Sequence, residues 1–255
     1  IMCGIVGYTG RESVTDQILD SLELLEYRGY DSAGLATLNG QTGKIKLRKC
    51  AGRVNDLRGI CKKDRKISTC GIGHTRWATH GGVSDENAHP HRCGDVLLVH
   101  NGIVENYEEL KDHFMLHKEL KSQTDTEVVA AVLNRLYQGD PHEAIRKTVQ
   151  YLKGTFALVI MFADQPDIIY AIRNVSPIVA AYSGNGTMLA SDVVALGAAA
   201  KQYMVVPEYM IMELHRDEIK LFDLNGKPHQ TEFIDIDWDT TRSGKGNYPF
   251  YMEKE

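Results

Sequence analysis

The sequence predicts an α+β fold of stacked antiparallel sheets flanked by helices, and three observations carry that expectation. Before residue 153, apolar residues recur at helical spacing, as in Ile18, Leu22 and Leu25 and again in Val128, Val129, Val132, Leu133 and Leu136. After it come short strand-like runs: Phe156 to Phe162, Ile168 to Ile172, Ile178 to Ala181, Met188 to Ala190, Met204 to Val206, Ile211 to Leu214 and Ile219 to Phe222. Strands this closely spaced pair mainly antiparallel, because parallel neighbours need long crossovers. The runs are also apolar enough to need cover on both faces, which helices supply.

The elements follow in order. Ile5-Val6-Gly7-Tyr8 reads as a strand, and Ser13-x-x-Asp16 opens a helix that should stop near Tyr27-Arg28-Gly29, where glycine suits a C-cap. Leu35 to Leu38, Asn39-Gly40 and Ile45 to Leu47 read as a tight hairpin. Residues 53–66 suggest a short basic surface helix, and Cys70 to Arg76 a strand that ends in polar groups. Trp77 to Arg92 is a long polar segment of the kind that carries function. Val96 to Val99 is an apolar strand running into His100-Asn101-Gly102. Asn106-x-x-Glu109, the capping box Thr124-x-x-Glu127 and Asp140-Pro141 start further helices. Residues 3–240 read as one domain and 241–255 as a polar tail leaving it.

Composition excludes several classes. The 255 residues are 43% apolar and 25% charged, which is ordinary for a globular chain with a substantial core. A net charge of −5 gives no pull toward nucleic acid or an anionic membrane, and no apolar run approaches a membrane span. The five cysteines are odd in number and lack a pairing rhythm, so reduced thiols and a cytoplasmic setting are expected. Cys70, His74, His80, His89, His91 and Cys93 lack the paired spacing of zinc sites, and no phosphate-binding glycine loop is present. Neither metal nor cofactor is expected.

The chemistry centres on Cys3, a thiol beside a glycine at the start of the first strand. An α-amine on the same residue would be a base of suitable strength at neutral pH. Four polar islands accompany it: Tyr27 to Gly34, Gly73 to Gly81, His100-Asn101-Gly102, and Thr124 to Glu127. Together they suit a zwitterionic amino acid with an acyl group to attack. Its carboxylate calls for an arginine fork, its ammonium for a carboxylate, and the acyl intermediate for fixed donors at the oxyanion. Read singly, Asp125 could be a helix-capping acid, Arg28 a helix C-terminal cation, Trp77 a core residue and Asn101-Gly102 a turn.

The islands Glu26 to Gly34, His74 to Gly81, Asn87-Ala88-His89-Pro90-His91 and Val99 to Asn106 resemble, in order and spacing, the glutaminase domain of the class II glutamine amidotransferases. These belong to the N-terminal-nucleophile hydrolase superfamily, and the resemblance covers essentially the whole chain. It implies a four-layer αββα sandwich and hydrolysis of the L-glutamine side-chain amide through a thioester on Cys3. Asn101 and Gly102 would form the oxyanion hole. Arg76, with Thr79 and the His80 backbone, would clamp the substrate carboxylate. Asp125, helped by the Gly102 carbonyl, would take its ammonium. Arg28 would order the site, and Trp77 would wall or gate it. The branch that makes an amino-sugar phosphate from fructose 6-phosphate matches best. The amidophosphoribosyltransferase branch differs at Tyr27 to Tyr30 and at Trp77. The first branch implies a C-terminal sugar-isomerase half after Glu255 and a homo-oligomeric full enzyme. Ile1 and Met2 stand before Cys3 here, and with them attached the Cys3 nitrogen is an amide, not a base. A silent glutamine-binding module is the expectation for that form, and trimming to Cys3 is expected to switch hydrolysis on.

Overall fold

Strands here are apolar on both faces because each sheet is covered twice. In the computed structural model, which describes residues 3–11, 13–62, 68–77 and 81–238, the elements run as follows. They are β1 (Gly4–Gly10), α1 (Val14–Glu23), β2 (Ser32–Leu38), β3 (Ile45–Cys50), α2 (Val54–Cys61), β4 (Cys70–Arg76), β5 (His91–Cys93), β6 (Val96–Val104), α3 (Tyr107–His113), α4 (Asp125–Leu136) and α5 (Pro141–Tyr151). The strands that follow are β7 (Gly154–Phe162), β8 (Ile169–Asn174), β9 (Val179–Ser183), β10 (Gly186–Ala190), β11 (Gln202–Val205), β12 (Ile211–Leu214), β13 (Ile219–Phe222), β14 (Pro228–His229) and β15 (Ile234–Asp235). One sheet has the order β15-β11-β9-β10-β1-β4-β2-β3 and the other β14-β13-β12-β8-β7-β6-β5. Neighbours such as β1 and β4, or β6 and β7, pair antiparallel.

Alternation along each strand assigns its side chains to two cores. Ile5, Ile72, Val99, Val159 and Leu189 fill the layer between the sheets. Val6, Tyr8 and Leu35 point the other way, onto Ile18 and Leu22 of α1 and Leu57 of α2. Leu98, Leu158 and Ile160 point outward from the second sheet onto Val128, Val132 and Ile145 of α4 and α5. The result is the four-layer αββα sandwich. Among the described residues no helix is long and apolar enough to cross a membrane.

Four local expectations are corrected. The first helix ends at Glu23 and a separate turn at Glu26–Arg28 intervenes; Gly29, extended (φ −178°), caps that turn with its N–H on the Glu26 carbonyl (3.2 Å) and not α1. β2 and β3 pair as the expected hairpin, but Asn39-Gly40 is not a two-residue turn. The loop runs from 39 to 44, and Asn39 Oδ1 accepts from the backbone N–H groups of Gln41 (2.9 Å) and Thr42 (2.8 Å), while Gly43 takes the positive φ of +65°. The strand expected to stop at Val99 continues through Asn101 and Gly102 as β6. Asn106 stands at the N-cap position where α3 was expected to start, but its side chain makes no cap bond; its amide donates to the Tyr151 carbonyl (2.8 Å) and accepts from Lys153 N–H (2.9 Å).

The Thr124 box is half formed. Thr124 Oγ1 accepts from Glu127 N–H (3.3 Å), but the Glu127 carboxylate turns to the N–H groups of Lys121 and Ser122. Thr124 Oγ1 also pairs with His91 Nε2 (3.0 Å), tying the start of α4 to β5. Thr124→Val removes both bonds and a third, between Ser122 Oγ and Thr124 Oγ1 (2.9 Å), and should cost about 1–2 kcal/mol. The urea midpoint should fall with the slope unchanged; an unchanged midpoint would mean that none of these bonds holds α4 in place.

Candidate active site

Cys3 immediately precedes β1, and the antiparallel register Gly4↔Thr75 brings the end of β4 beside it, with Arg76 and Trp77. The second sheet delivers His100, Asn101 and Gly102 from β6, and the start of α4 delivers Thr124, Asp125 and Thr126. These elements enclose a cavity of about 40 Å³ lined by Cys3, Arg76, Trp77, Asn101, Gly102 and Asp125, together with His74, His89, His100, Thr124 and Thr126. Six of the expected site residues therefore meet in one place. Thr79 and His80 lie outside the described residues, as do Ile1, Met2 and 239–255.

The thiol is held rather than ionised. Trp77 N–H donates to Cys3 Sγ (3.2 Å). Burial pushes the thiol pKa up, and the Trp77 N–H and the nearby Arg76 charge only partly offset it. Such a thiol needs a base to react. The Trp77 backbone is pinned from behind. Asp31 N–H donates to the Arg76 carbonyl (3.1 Å), and a Cβ on Gly29 would lie 2.7 Å from Arg76 C and 2.8 Å from Trp77 N. The glycine is thus required by close backbone approach. The Trp77 ring stands edge-on to Tyr30 at 5.4 Å, and Tyr30 in turn carries the Arg53 guanidinium at 5.1 Å.

Asn101 joins the sheets: its Nδ2 donates to the Cys3 carbonyl at 2.7 Å, and its Oδ1 lies 3.0 Å from His74 Nε2. Gly102 has φ +126°, and a Cβ there would fall 2.2 Å from the Thr155 carbonyl, so no other residue fits. Arg76 Nη1 donates to the Gly82 carbonyl (3.3 Å), which also accepts from Asn87 Nδ2 (2.9 Å). Gln123 N–H donates to Asn87 Oδ1 (2.9 Å), so Asn87 fastens the 81–88 loop to the lead-in of α4. Asp125 Oδ2 accepts from Val104 N–H (2.9 Å), which aims the carboxylate across the exit of β6.

Arg28 does not line the cavity. Its guanidinium pairs with Asp192 and with Tyr27 Oη (3.1 Å), and Tyr27 Oη donates to the same Asp192 oxygen (2.7 Å). The neighbouring Ser191 exchanges two bonds with Ile5, each 3.0 Å, so Arg28 steadies the segment that flanks β1. Asp192 was not legible in the sequence, since it sits 164 residues from Arg28. Sequence reasoning offered His74 and His100 only as bases in reserve should the α-amine not serve, and gave His89 and His91 no site role. His74, His89, His91 and His100 are each at most 5% exposed, with ring centroids 4.1 Å apart for His74–His89 and 5.0 Å for His89–His91. Burial keeps all of them from charging and holds His74 at about 3. For two of them the short spacing His89-Pro90-His91 was the available signal.

Fold and site resemble those of a class II glutamine amidotransferase domain. Residues 74–198 match the family model described as the glutamine amidotransferase domain. The whole chain is 42% identical over 257 residues to a protein of Thermus thermophilus named glutamine–fructose-6-phosphate aminotransferase (isomerizing), and 42% identical over 260 residues to one of that name from Aquifex aeolicus. It spans only 42% and 43% of those relatives' lengths. Among solved structures, the glutamine phosphoribosylpyrophosphate amidotransferase of B. subtilis superposes with a TM-score of 0.74 at 23% identity, over 87% of this chain and 49% of that one. That likeness is one of fold.

Gly29→Ala should push the Arg76–Trp77 backbone away and loosen the N–H bond to the Cys3 thiol. Because that bond lowers the thiol pKa, its loss should move the pH midpoint of Cys3 alkylation by iodoacetamide upward. Peptide mass spectrometry reads the midpoint at Cys3 alone. A midpoint that stays put would show that Gly29 does not govern the contact.

Proposed function

We propose that this domain hydrolyses the side-chain amide of L-glutamine to glutamate and ammonia through a thioester on Cys3. The observation that carries the reading is the convergence of a buried thiol, an amide donor, an arginine and a carboxylate on one small cavity. Arg76 supplies the planar fork that a substrate carboxylate accepts bidentately, and Asp125 the charge that a substrate ammonium needs. Between those two anchors the side-chain amide reaches toward Cys3.

When Cys3 is N-terminal, its own amine takes the thiol proton and Sγ attacks the amide carbon. The negative charge on the oxygen is met by the second N–H of Asn101 Nδ2 and by Gly102 N–H. The protonated amine then gives its proton to the departing ammonia, leaving the acyl group on sulfur. Water, deprotonated by the same amine, attacks the thioester, and glutamate leaves as the thiol is restored. Arg28, through Asp192 and Ser191, holds β1 in register for these steps. Trp77 walls the cavity on the side of Tyr30. Thr79 and the His80 backbone are proposed to complete the carboxylate clamp.

The names of the 42% identical relatives favour fructose 6-phosphate as the acceptor of this ammonia in the whole protein. A sugar-isomerase half beyond residue 255, reached through the 241–255 tail of the 3–240 domain, would bind that acceptor. A homo-oligomer in the cytoplasm completes the proposal. A phosphoribosyl acceptor is the weaker reading, because its support is a likeness of fold at 23% identity.

The test is glutamate release by the chain processed to begin at Cys3, beside a form that retains Ile1 and Met2. The processed form should turn over and the extended one should not. Cys3→Ala should abolish turnover with the fold intact. Arg76→Lys should chiefly raise KM for glutamine, while Asn101→Ala should lower kcat by roughly 10²–10³. The reverse pattern would exchange the two roles, and equal rates for the processed and extended forms would rule out the α-amine as base.

A further inference from the structure

We infer that His74 is a positioning residue: its Nε2–H fixes which way round the Asn101 side-chain amide sits, so that the site presents a donor to the oxyanion. The inference rests on the glutaminase reading for its consequence, but its geometry stands on named atoms. His74 Nε2 lies 3.2 Å from the His100 carbonyl oxygen and 3.0 Å from Asn101 Oδ1. A backbone carbonyl can only accept, so Nε2 carries the proton. The Asn101 atom facing that N–H must then be its oxygen. The amide nitrogen faces the other way and donates to the Cys3 carbonyl at 2.7 Å.

Two fixed carbonyls, those of His100 and Cys3, therefore bracket a relay of two side chains, His74 and Asn101. The Cys3 carbonyl alone would hold the amide by one end and leave it free to rock about its last torsion. His74 adds the second point and leaves one Nδ2 hydrogen for the oxyanion.

The remaining nitrogen of His74 agrees with this tautomer. Nδ1 is buried and meets no hydrogen-bond partner among the described residues, which is tolerable for a bare ring nitrogen and costlier for an unpaired N–H. The His89 ring lies over His74 at 4.1 Å and 31°, which keeps the ring from turning. Desolvation holds His74 neutral down to about pH 3, so the relay survives across the working range.

Two measurements test the proposal. In the chain labelled with ¹⁵N-histidine, the His74 ring should show a protonated Nε2 and a bare Nδ1; the opposite tautomer overturns the inference whether or not the chain turns over glutamine. In glutamate release by the chain processed to Cys3, His74→Leu should lower kcat on the order of 10²-fold with KM nearly unchanged. His74→Gln puts an amide nitrogen at the Nε2 position and should keep most of the activity. His74→Asn puts it at the Nδ1 position and should not. Adding His74→Leu to Asn101→Ala should cost nothing further, since the donor is already gone. Equal kcat for the Gln and Asn variants, or an additive double variant, overturns the inference. The Gln–Asn comparison decides if the Leu variant fails to fold. A parent chain beginning at Cys3 that releases no glutamate fails the functional reading instead, and leaves the tautomer to stand or fall by its spectrum.

Discussion

One hydrogen bond, from Asn101 Nδ2 to the Cys3 carbonyl at 2.7 Å, is the point on which the site depends, because its partners belong to different sheets. Cys3 leads into β1 near the middle of one sheet, and Asn101 lies in β6 of the other. The distance between them is set by the layer of Ile5, Ile72, Val99, Ala157 and Val159 that separates the sheets. Sheets packed face to face stand about 10 Å apart, and a layer filled to close packing does not yield easily. The inter-sheet core is therefore also the frame that sets Cys3 against the Asn101 amide.

Charge in the cavity is arranged by the same frame. Burial lowers the pKa of His74, His89 and His100, which line it, and of His91 nearby, and so disfavours added positive charge beside Arg76. What remains is one guanidinium and one carboxylate, a pattern complementary to a zwitterion. The thiol, raised by burial, stays protonated until a base is provided. A neutral nucleophile spares the site a buried thiolate before substrate has displaced the water, at the expense of needing a proton acceptor within reach.

The layer order was legible in the sequence, since apolar strands without polar alternation must be covered on both faces, as β6 and β7 are. The cavity residues Cys3, Arg76, Asn101, Gly102 and Asp125 were legible through motif order. What was not legible follows from long-range contact. Gly29 looks like a helix cap in a local window, but Arg76 and Trp77 pack on it from another strand. Asn39-Gly40 carries a local turn preference, yet the Asn39 side chain makes its own turn and lengthens the loop. Val99 appears to end a strand because polar residues follow; the pairing Asn101↔Ala157 carries the strand onward and puts those polar groups at the cavity. Arg28 gave no hint of Asp192, for the pair meets only in the folded chain, 164 residues apart.

The most direct measurement is a crystal structure of the chain beginning at Cys3 with a glutamine-derived acyl group captured on the thiol. The account predicts the acyl oxygen within about 2.7–3.1 Å of both Asn101 Nδ2 and Gly102 N, with the α-carboxylate on the Arg76 fork and the α-ammonium against Asp125. An acyl oxygen turned away from Asn101, or a carboxylate bound elsewhere than Arg76, would contradict it.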